Sequence, residues 1–340
     1  MLPNGMSQAA SALIAKRSVF LLILILAASP IEVGIAATTS GNQSLHRAVA
    51  YLRATAYNPD VELCREAPRV APSVYWVASD NLLASKALEP YDSKLSSRMR
   101  SRLVEIAKTY SLPVSVDGVP LSLRYDVVMR DDETLEIPPR DITHITLQNG
   151  SYLLRYDVAN GTNRFEDWGE YADLLLLVAL SNHNRGDHAN AVGNFTLAAN
   201  MWDGMGLRDK AYRLAYGEGQ ARGSPNAYAT YKLGLLLYVA GKLGITLPYE
   251  QDVIGRVWSM QNQTSGGVFT HIMADGGSGD SDTNTETTAF VILGMTSIQN
   301  RIPEFPSSAL VILILGVVLT VSMVSIQSLR HAGAKRLKAA

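Results

Sequence analysis

The sequence predicts a mainly α-helical protein with a small antiparallel β insertion and one C-terminal transmembrane helix. Three observations support this fold class. All-round apolar stretches such as Leu174–Leu180 alternate with amphipathic ones such as Ser93–Ala107, as expected for buried and half-exposed helices. The dipeptides Asp117-Gly118 and Asn149-Gly150 are typical of β-hairpin turns. The run Phe305–Leu329 has no charged residue and is long enough to cross about 30 Å of hydrocarbon.

The N-terminus has the layout of a secretory signal. Lys16-Arg17 precedes the apolar run Val19–Ala28, and small residues follow near Ala37. We therefore predict a signal peptide over residues 1–37, with an uncleaved signal anchor as the alternative. Both leave the following domain, residues 38–301, on the same side of the membrane.

The C-terminus predicts the orientation of the chain. A transmembrane helix is expected at 309–326, and the basic tail 327–340 follows it. Positively charged flanks stay in the cytoplasm, so residues 38–301 should be extracellular and the protein should be a single-pass membrane protein. The alternative, a buried core helix, fits poorly with so long a run and the basic cluster after it.

Composition excludes several functions. The formal net charge is −1, so nothing favours nucleic acid as a partner. No Gly-Lys-Ser/Thr phosphate loop is present, so no nucleotide is expected. Cys64 is the single cysteine, which rules out an intrachain disulfide and suits a prokaryotic cell surface; a buried thiol is the simplest interpretation.

Five Asn-x-Ser/Thr triplets lie in the predicted exterior domain, and together they suggest a glycosylated surface protein. Their asparagines are Asn42, Asn149, Asn160, Asn194 and Asn262. The segment Ile302–Ser307, Ile-Pro-Glu-Phe-Pro-Ser, forms a linker over 302–308. With the apolar span and basic end after it, this segment resembles the Pro-Glu-Phe C-terminal sorting signals of archaeal surface proteins. That resemblance covers about forty residues and implies surface anchoring in an archaeon.

The domain between these ends is predicted to consist of helices in pairs. Alternation of buried and amphipathic helices suggests two concentric layers. Predicted inner helices are 73–88, 167–184, 226–244 and 284–299, and predicted outer helices are 45–56, 92–110, 187–202 and 249–261. The last inner helix lacks a following partner, so we expect it to pair with the first helix.

A weak internal repeat points to a known architecture. The loop Gln261–Phe269 follows an outer helix, and the apolar helix Asn284–Met295 comes after it. This pattern resembles the α/α-toroid proteins, which include terpenoid cyclases, protein prenyltransferases, six-hairpin-type glycosidases and polysaccharide lyases. The specific match covers about residues 257–296. It implies about four hairpins in a small or partly open ring, with a site at the mouth of the inner helices.

An insertion at about 112–163 interrupts the helical pattern. A two-residue turn at Asn149-Gly150 would pair Leu147 with Tyr152 and Ile145 with Leu154. One face of this hairpin is then apolar and the other polar. We expect the apolar face to lie on the helical body.

Catalytic candidates are acids near the starts of the inner helices, namely Asp80, Glu170, Asp173 and Glu286. Paired carboxylates act as general acid and base on glycosidic bonds when held about 5 to 9.5 Å apart. The competing interpretation is structural, because acids at helix N-termini favour the helix dipole. Thr283–Glu286 also matches a capping box.

Two further features are candidate binding sites. Asp280, Asp282 and Asn284 present oxygen atoms at alternate positions, as in a calcium loop, although the glycine and distant glutamate of an EF-hand are missing. A capped polar loop is the alternative interpretation. Trp76 and Trp168 are candidates for a sugar platform, while helix aromatics more often belong to the core.

Two functions are compatible with these features. The first is a non-catalytic surface protein that binds an envelope glycan or another protein. The second is a polysaccharide-active enzyme, a glycoside hydrolase or lyase with paired carboxylates. The sequence favours the first, because each acid has a structural explanation. Convergence of two acids in one aromatic-lined pocket would favour the enzyme.

Overall fold

The computed structural model describes residues 41–130, 135, 140–213 and 226–301. The chain divides into a compact unit, 1–298, and a second unit, 299–340, of which only the last turn of one helix is described. The predicted signal peptide, Pro-Glu-Phe-Pro linker, transmembrane helix and basic tail all lie outside the described residues. No helix within the described ranges combines the length and apolar character needed to cross a membrane.

The described chain is about half helical with several short strands, which confirms the mainly helical class. The helices are 41–50 (α1), Asp80–Leu88 (α2), Ser93–Tyr110 (α3), Asp126–Met129 (α4), Ala172–Asn184 (α5), His188–Ala199 (α6), Lys210–Arg213 (α7), Thr230–Leu243 (α8), Glu250–Ser259 (α9) and Thr285–Arg301 (α10). A π-helical turn, Tyr51–Ala56, continues α1, and 3₁₀ turns occur at Leu123–Tyr125 and Trp168–Glu170.

The predicted helix 73–88 is wrong in its first half. Val74–Trp76 is a strand, and α2 begins only at Asp80. A Val-Tyr-Trp run suits a strand better than a helix because branched and aromatic side chains pack well on a pleated surface. The helix predicted over 226–244 likewise begins later, at Thr230, because Tyr228–Ala229 pairs with His271–Ile272.

The strands are Tyr57–Asn58 (β1), Leu63–Cys64 (β2), Val74–Trp76 (β3), Ile142–Asn149 (β4), Tyr152–Ala159 (β5), Tyr228–Ala229 (β6) and His271–Ile272 (β7). The main sheet has the order β3-β5-β4, with β3 parallel to β5 and β4 antiparallel to it. The predicted hairpin therefore does more than lie on the helices, because it forms a sheet with the strand that leads into α2.

The observed strand pairing of the hairpin differs from the predicted register by two residues. Leu147 pairs with Leu154 and Ile145 with Tyr156, because Asn149 itself pairs with Tyr152. The turn then falls on Gly150, whose φ of +60° glycine adopts without strain. A shift of two residues preserves the faces, so the apolar face survives. The second predicted hairpin, 114–121, is reduced to a single bridge between Val114 and Pro120.

Consecutive helices pack in pairs. Helix α2 packs on α3, α5 on α6, and α8 on α9, while α5 also packs on α8. The backbones of α8 and α10 approach closely at Gly234, where an added Cβ would lie 2.7 Å from the carbonyl carbon of Phe290. Gly234 is therefore required by helix packing, since a side chain would separate the two helices.

The first helix packs against the loop that precedes α10. Gln261 Nε2 donates to the Ser44 carbonyl at 2.8 Å, and Arg47 donates to Gln263 at 2.9 Å. The Tyr51 hydroxyl donates to the Thr283 carbonyl at 3.2 Å. Helix α1 and the turn that continues it are thus joined to the connection between α9 and α10, the helix with which the first helix was expected to pair. Cys64 is a buried free thiol, as expected.

Candidate functional site

A cleft of about 210 Å³ lies where α2 and α10 begin, between the β4–β5 hairpin and the segment 122–125. Its lining includes four carboxylates, one guanidinium group and two aromatic rings. These are Glu66, Asp80, Asp157 and Glu286, then Arg124, then Trp76 and Tyr125. The cleft thus brings together two of the four predicted acids and one of the two predicted tryptophans.

Asp80 is the first residue of α2, directly after the β3 strand and its turn. The side chain is 4% exposed. Its Oδ1 atom accepts a hydrogen bond from the Ser79 hydroxyl at 3.1 Å, whereas Oδ2 is buried and has no protein partner. Burial, followed by repulsion from Glu286 and Glu66, holds the pKa of Asp80 well above its usual range. This carboxyl group therefore keeps its proton and can donate it to a ligand.

Glu286, in the first turn of α10, does not form the predicted capping box. Asn284 caps the helix instead, with Oδ1 accepting from the Thr287 amide at 3.0 Å. The freed Glu286 carboxylate accepts a hydrogen bond from the Tyr125 hydroxyl at 2.7 Å. Burial raises the pKa of Glu286, while the Tyr125 hydrogen bond and the Arg124 charge lower it. Glu286 thus has a charged neighbour that favours its ionised form, whereas Asp80 has the Ser79 hydroxyl as its side-chain donor and further acids as its charged neighbours.

The segment 122–125 supplies these donors from a strained backbone. Leu123 has φ of +52°, in the left-handed region that a residue with a side chain rarely adopts. The Ser122 hydroxyl is buried without a protein partner. Burial would lower the pKa of Arg124, but the neighbouring Tyr125 and the acids outweigh burial and raise it. Arg124 therefore stays charged beside Glu286.

Trp76 forms an aromatic wall of the cleft. Its ring meets His144 edge-on at 5.2 Å between centroids, and the Arg155 guanidinium lies 5.5 Å from its centroid. His144 in turn contacts the Asp157 carboxylate, and Arg155 lies 3.5 Å from Glu66. The hairpin thus positions two of the cleft acids. Asp157 belongs to β5, and Arg155 of the same strand contacts Glu66.

The predicted acid Asp173 lies outside the cleft lining, in a buried ion triad. Lys232 Nζ lies 3.1 Å from Asp173 and also contacts Asp209, and the Tyr231 hydroxyl donates to Asp173 at 2.9 Å. Burial would raise the pKa of Asp173, but the charges of Lys232 and Arg124 outweigh burial and lower it. This carboxylate is compensated and ionised, so it is a structural acid.

The remaining predicted acid and tryptophan are also elsewhere. Glu170 and Trp168 lie in the 3₁₀ turn before α5, where Glu170 is exposed and lies 3.3 Å from Lys210. Trp168 is partly buried and packs against the core. Neither lines the cleft.

The three candidate calcium ligands have other partners. Asp280 accepts from the His271 amide at 2.6 Å, Asp282 accepts from the Thr283 amide at 2.8 Å, and Asn284 caps α10. Among the residues that the structure describes, no three acidic, histidine or cysteine side chains come close enough to hold a metal ion. The geometry favours the capped polar loop.

The five candidate glycosylation sites are all at least partly exposed. Asn42 and Asn160 are exposed, and the other three are half-buried. The Asn262 Oδ1 atom accepts from the Thr264 and Ser265 amides, both at 2.9 Å. Burial therefore blocks none of these asparagines from modification.

Several cleft residues were not predicted. Glu66 and Asp157 lie in a loop and on the hairpin, and Arg124 and Tyr125 occupy a segment without periodicity. For Asp157 a signal existed, since the polar hairpin face aligns it with His144. For Arg124 and Tyr125 no local signal existed, because Tyr125 meets Glu286 across 161 residues of chain.

Comparison with known proteins yields no assignment: no protein-family model, curated protein or solved structure shows significant similarity to this chain.

Proposed function

We propose that this protein is a glycoside hydrolase in which Asp80 is the general acid and Glu286 is the base or nucleophile. One observation carries the proposal. The buried, unpartnered Oδ2 atom of Asp80 lines the same cleft as Glu286, beside Trp76. Burial and neighbouring acids raise the pKa of Asp80 well above its usual range, as a general acid of glycosidic cleavage requires, whereas Tyr125 and Arg124 oppose the rise that burial causes in Glu286.

The reaction follows from the protonation states. Protonated Asp80 donates its proton to the glycosidic oxygen, and the bond from that oxygen to the anomeric carbon breaks. Ionised Glu286 either removes a proton from the attacking water or bonds to the anomeric carbon before water replaces it. Tyr125 and Arg124 favour the ionised form of Glu286 against the effect of its burial. The acid-rich walls also stabilise the positive charge that develops on the sugar ring.

Helix packing is compatible with a toroid-like ring. The pairs α2–α3, α5–α6 and α8–α9 each join an expected inner helix to an expected outer helix. The Tyr91 and Thr296 hydroxyls, 2.8 Å apart, join the α2–α3 turn to α10. In the resembled toroid enzymes the site lies at the mouth of the inner helices. The cleft lies at the corresponding position, where α2 and α10 begin.

The setting of this enzyme is the cell surface. The proposal keeps the predicted signal, the single membrane span with a cytoplasmic C-terminus, and the glycosylated archaeal exterior. Its support is the apolar span with a basic end, the Pro-Glu-Phe-Pro element and the accessible triplets. Envelope glycans, or glycans presented by surface proteins, are the natural partners there.

The experiment is a reducing-end assay of the full-length protein on a panel of neutral, amino and acidic polysaccharides. Asp80→Asn and Glu286→Gln should each lower activity by about 10²–10⁴-fold, since each removes a proton-transfer group. Glu89→Gln is the matched control, because Glu89 is an exposed acid at the far end of α2. The anomeric configuration of the first product distinguishes a base from a nucleophile.

Binding without cleavage would overturn the hydrolase and favour the non-catalytic function. Under that outcome the two variants would alter affinity for a glycan, and no new reducing ends would form from any substrate in the panel.

A further inference from the structure

We infer that the sugar recognised in this cleft carries a protonated amino group, which Glu66 and Asp157 bind beside Trp76. This substrate class rests on the proposed hydrolase function.

The charge of the cleft disfavours acidic sugars. Four carboxyl groups, of which Asp80 keeps its proton, line the cleft, against the single lining guanidinium of Arg124. The positive charge of Arg124 already interacts with two acids, Asp173 and Glu286. A uronate would therefore add a negative charge to a site with no uncommitted cation in its lining. Like charges at close range are costly for binding, and complementary charges determine which ligand is accepted.

The walls around Trp76 have the chemistry of an ammonium site. The Arg155 guanidinium lies 5.5 Å from the Trp76 ring centroid and 3.5 Å from Glu66. The Trp76 ring and the Glu66 carboxylate thus already contact one cation, Arg155, on one side. Asp157 lies on β5, the strand next to β3, which carries Trp76. Asp157 also lines the same cleft. Carboxylates combined with an aromatic face bind ammonium groups through charge and cation–π attraction.

Two unpartnered groups indicate that the cleft is built for a polar ligand. Asp80 Oδ2 and Ser122 Oγ are both buried without a protein partner, in residues that are 4% and 8% exposed. Such atoms are rare in native proteins because each lost hydrogen bond is costly. The cleft volume of about 210 Å³ is below the roughly 300–1,000 Å³ of pockets for larger ligands. A single sugar unit, with hydroxyl groups for these two atoms, matches that size.

The test compares a glucosamine oligosaccharide, whose amino groups are free to carry a proton, with its N-acetylated and uncharged counterpart. Calorimetry with full-length protein should show the glucosamine hexasaccharide binding at least about tenfold tighter than the N-acetylglucosamine hexasaccharide, as expected for one charged hydrogen bond. The preference should shrink from about 0.02 M to about 0.5 M salt, because screening weakens partly exposed charges. A galacturonate hexasaccharide should bind most weakly of the three.

Variants locate the interaction. Asp157→Asn and Glu66→Gln should each reduce the preference for the amino sugar, and Glu89→Gln should retain it. Thermal unfolding of each variant verifies that it is folded. If Asp157→Asn fails to fold, Glu66→Gln carries the test alone. Hexalysine is the control for charge alone: binding as tight as that of the glucosamine oligomer would overturn recognition of an amino sugar.

The outcomes separate this inference from the hydrolase proposal. Cleavage of a neutral or acidic glycan that depends on Asp80, without preference for the amino sugar, would overturn the substrate class and support the hydrolase. Selective binding of the glucosamine oligomer without cleavage would support the substrate class and overturn the hydrolase. Equal binding of all three oligosaccharides would also overturn the substrate class.

Discussion

Two groups of buried acids lie at the starts of helices, and they differ in what balances their charge. Asp173, near the start of α5, is held by Lys232, which also neutralises Asp209. Asp80, at the start of α2, faces further acids and has an unpartnered oxygen. The same residue type in the first turn of a helix is therefore structural in one region and chemically active in the other. A neighbouring cation decides between the two.

The largest expected effect is loss of the cation in the triad. Lys232→Met should destabilise the protein by about 3 to 5 kcal/mol, because it leaves two buried carboxylates without their charged partner. Urea unfolding at pH 7 measures this change. The deficit should shrink as the pH falls from 7 towards 4, because burial without Lys232 raises the pKa values of these acids in the folded variant and they take up protons there.

Lys210→Met is the matched control for this change. Lys210 also contacts two acids, Asp167 and Glu170, but at the surface. The loss of stability should be much smaller, since water solvates the remaining carboxylates. Equal losses for the two lysine variants would contradict the distinction between compensated buried acids and surface pairs.

Asp80→Asn should have opposite effects on activity and stability. It removes the proposed general acid, and it should stabilise the fold by about 0.5 to 2 kcal/mol at pH 7 because it removes a buried carboxyl that resists ionisation. The sign follows from the raised pKa of Asp80. The folded protein keeps a proton that the unfolded chain releases near pH 4, so wild-type stability falls as pH rises from there towards the pKa of folded Asp80.

Melting temperatures of wild type and Asp80→Asn across pH 4 to 8 measure this difference. The gap between the two proteins should widen as pH increases. A variant that is less stable than wild type at every pH would contradict the interpretation of Asp80 as an uncompensated acid.

Tyr125→Phe should shift the pH profile without abolishing activity. Burial raises the pKa of Glu286, and the Tyr125 hydroxyl opposes that rise. Without this donor the pKa of Glu286 should increase, so the acidic limb of kcat/KM should move to higher pH. Tyr231→Phe is the control, because Tyr231 makes the corresponding hydrogen bond to Asp173 in the triad. An equal shift in both variants would argue against a direct effect on Glu286.

The smallest effect is expected at the predicted acid that lies outside both groups. Glu170→Gln should change activity and stability little, since Glu170 is exposed and its contact with Lys210 is at the surface. A large loss of activity in the same reducing-end assay would mean that the 3₁₀ turn before α5 takes part in the reaction, and the cleft would not be the whole site.

The sequence predicted those features that depend on local pattern. Apolar runs such as Leu174–Leu180 identified the buried helices, because burial on all sides leaves no polar face. The alternation over Ile145 and Leu147 predicted the hairpin's faces even though the register was two residues off, since faces repeat with period two. Acids near helix starts, including Asp80 and Glu286, were found for the same local reason.

Only the tertiary structure decided which of these acids meet and what surrounds them. Asp80 and Glu286 come from helices more than 200 residues apart, and Tyr125 reaches Glu286 from a segment without any pattern. Lys232 neutralises the charge of Asp173 although the two residues are 59 positions apart in the sequence. A helical or strand periodicity does not predict such a contact. Helical and strand patterns record only whether a side chain is buried. The identity of its neighbours is set by long-range packing, and the pKa and chemistry of a carboxylate depend on those neighbours.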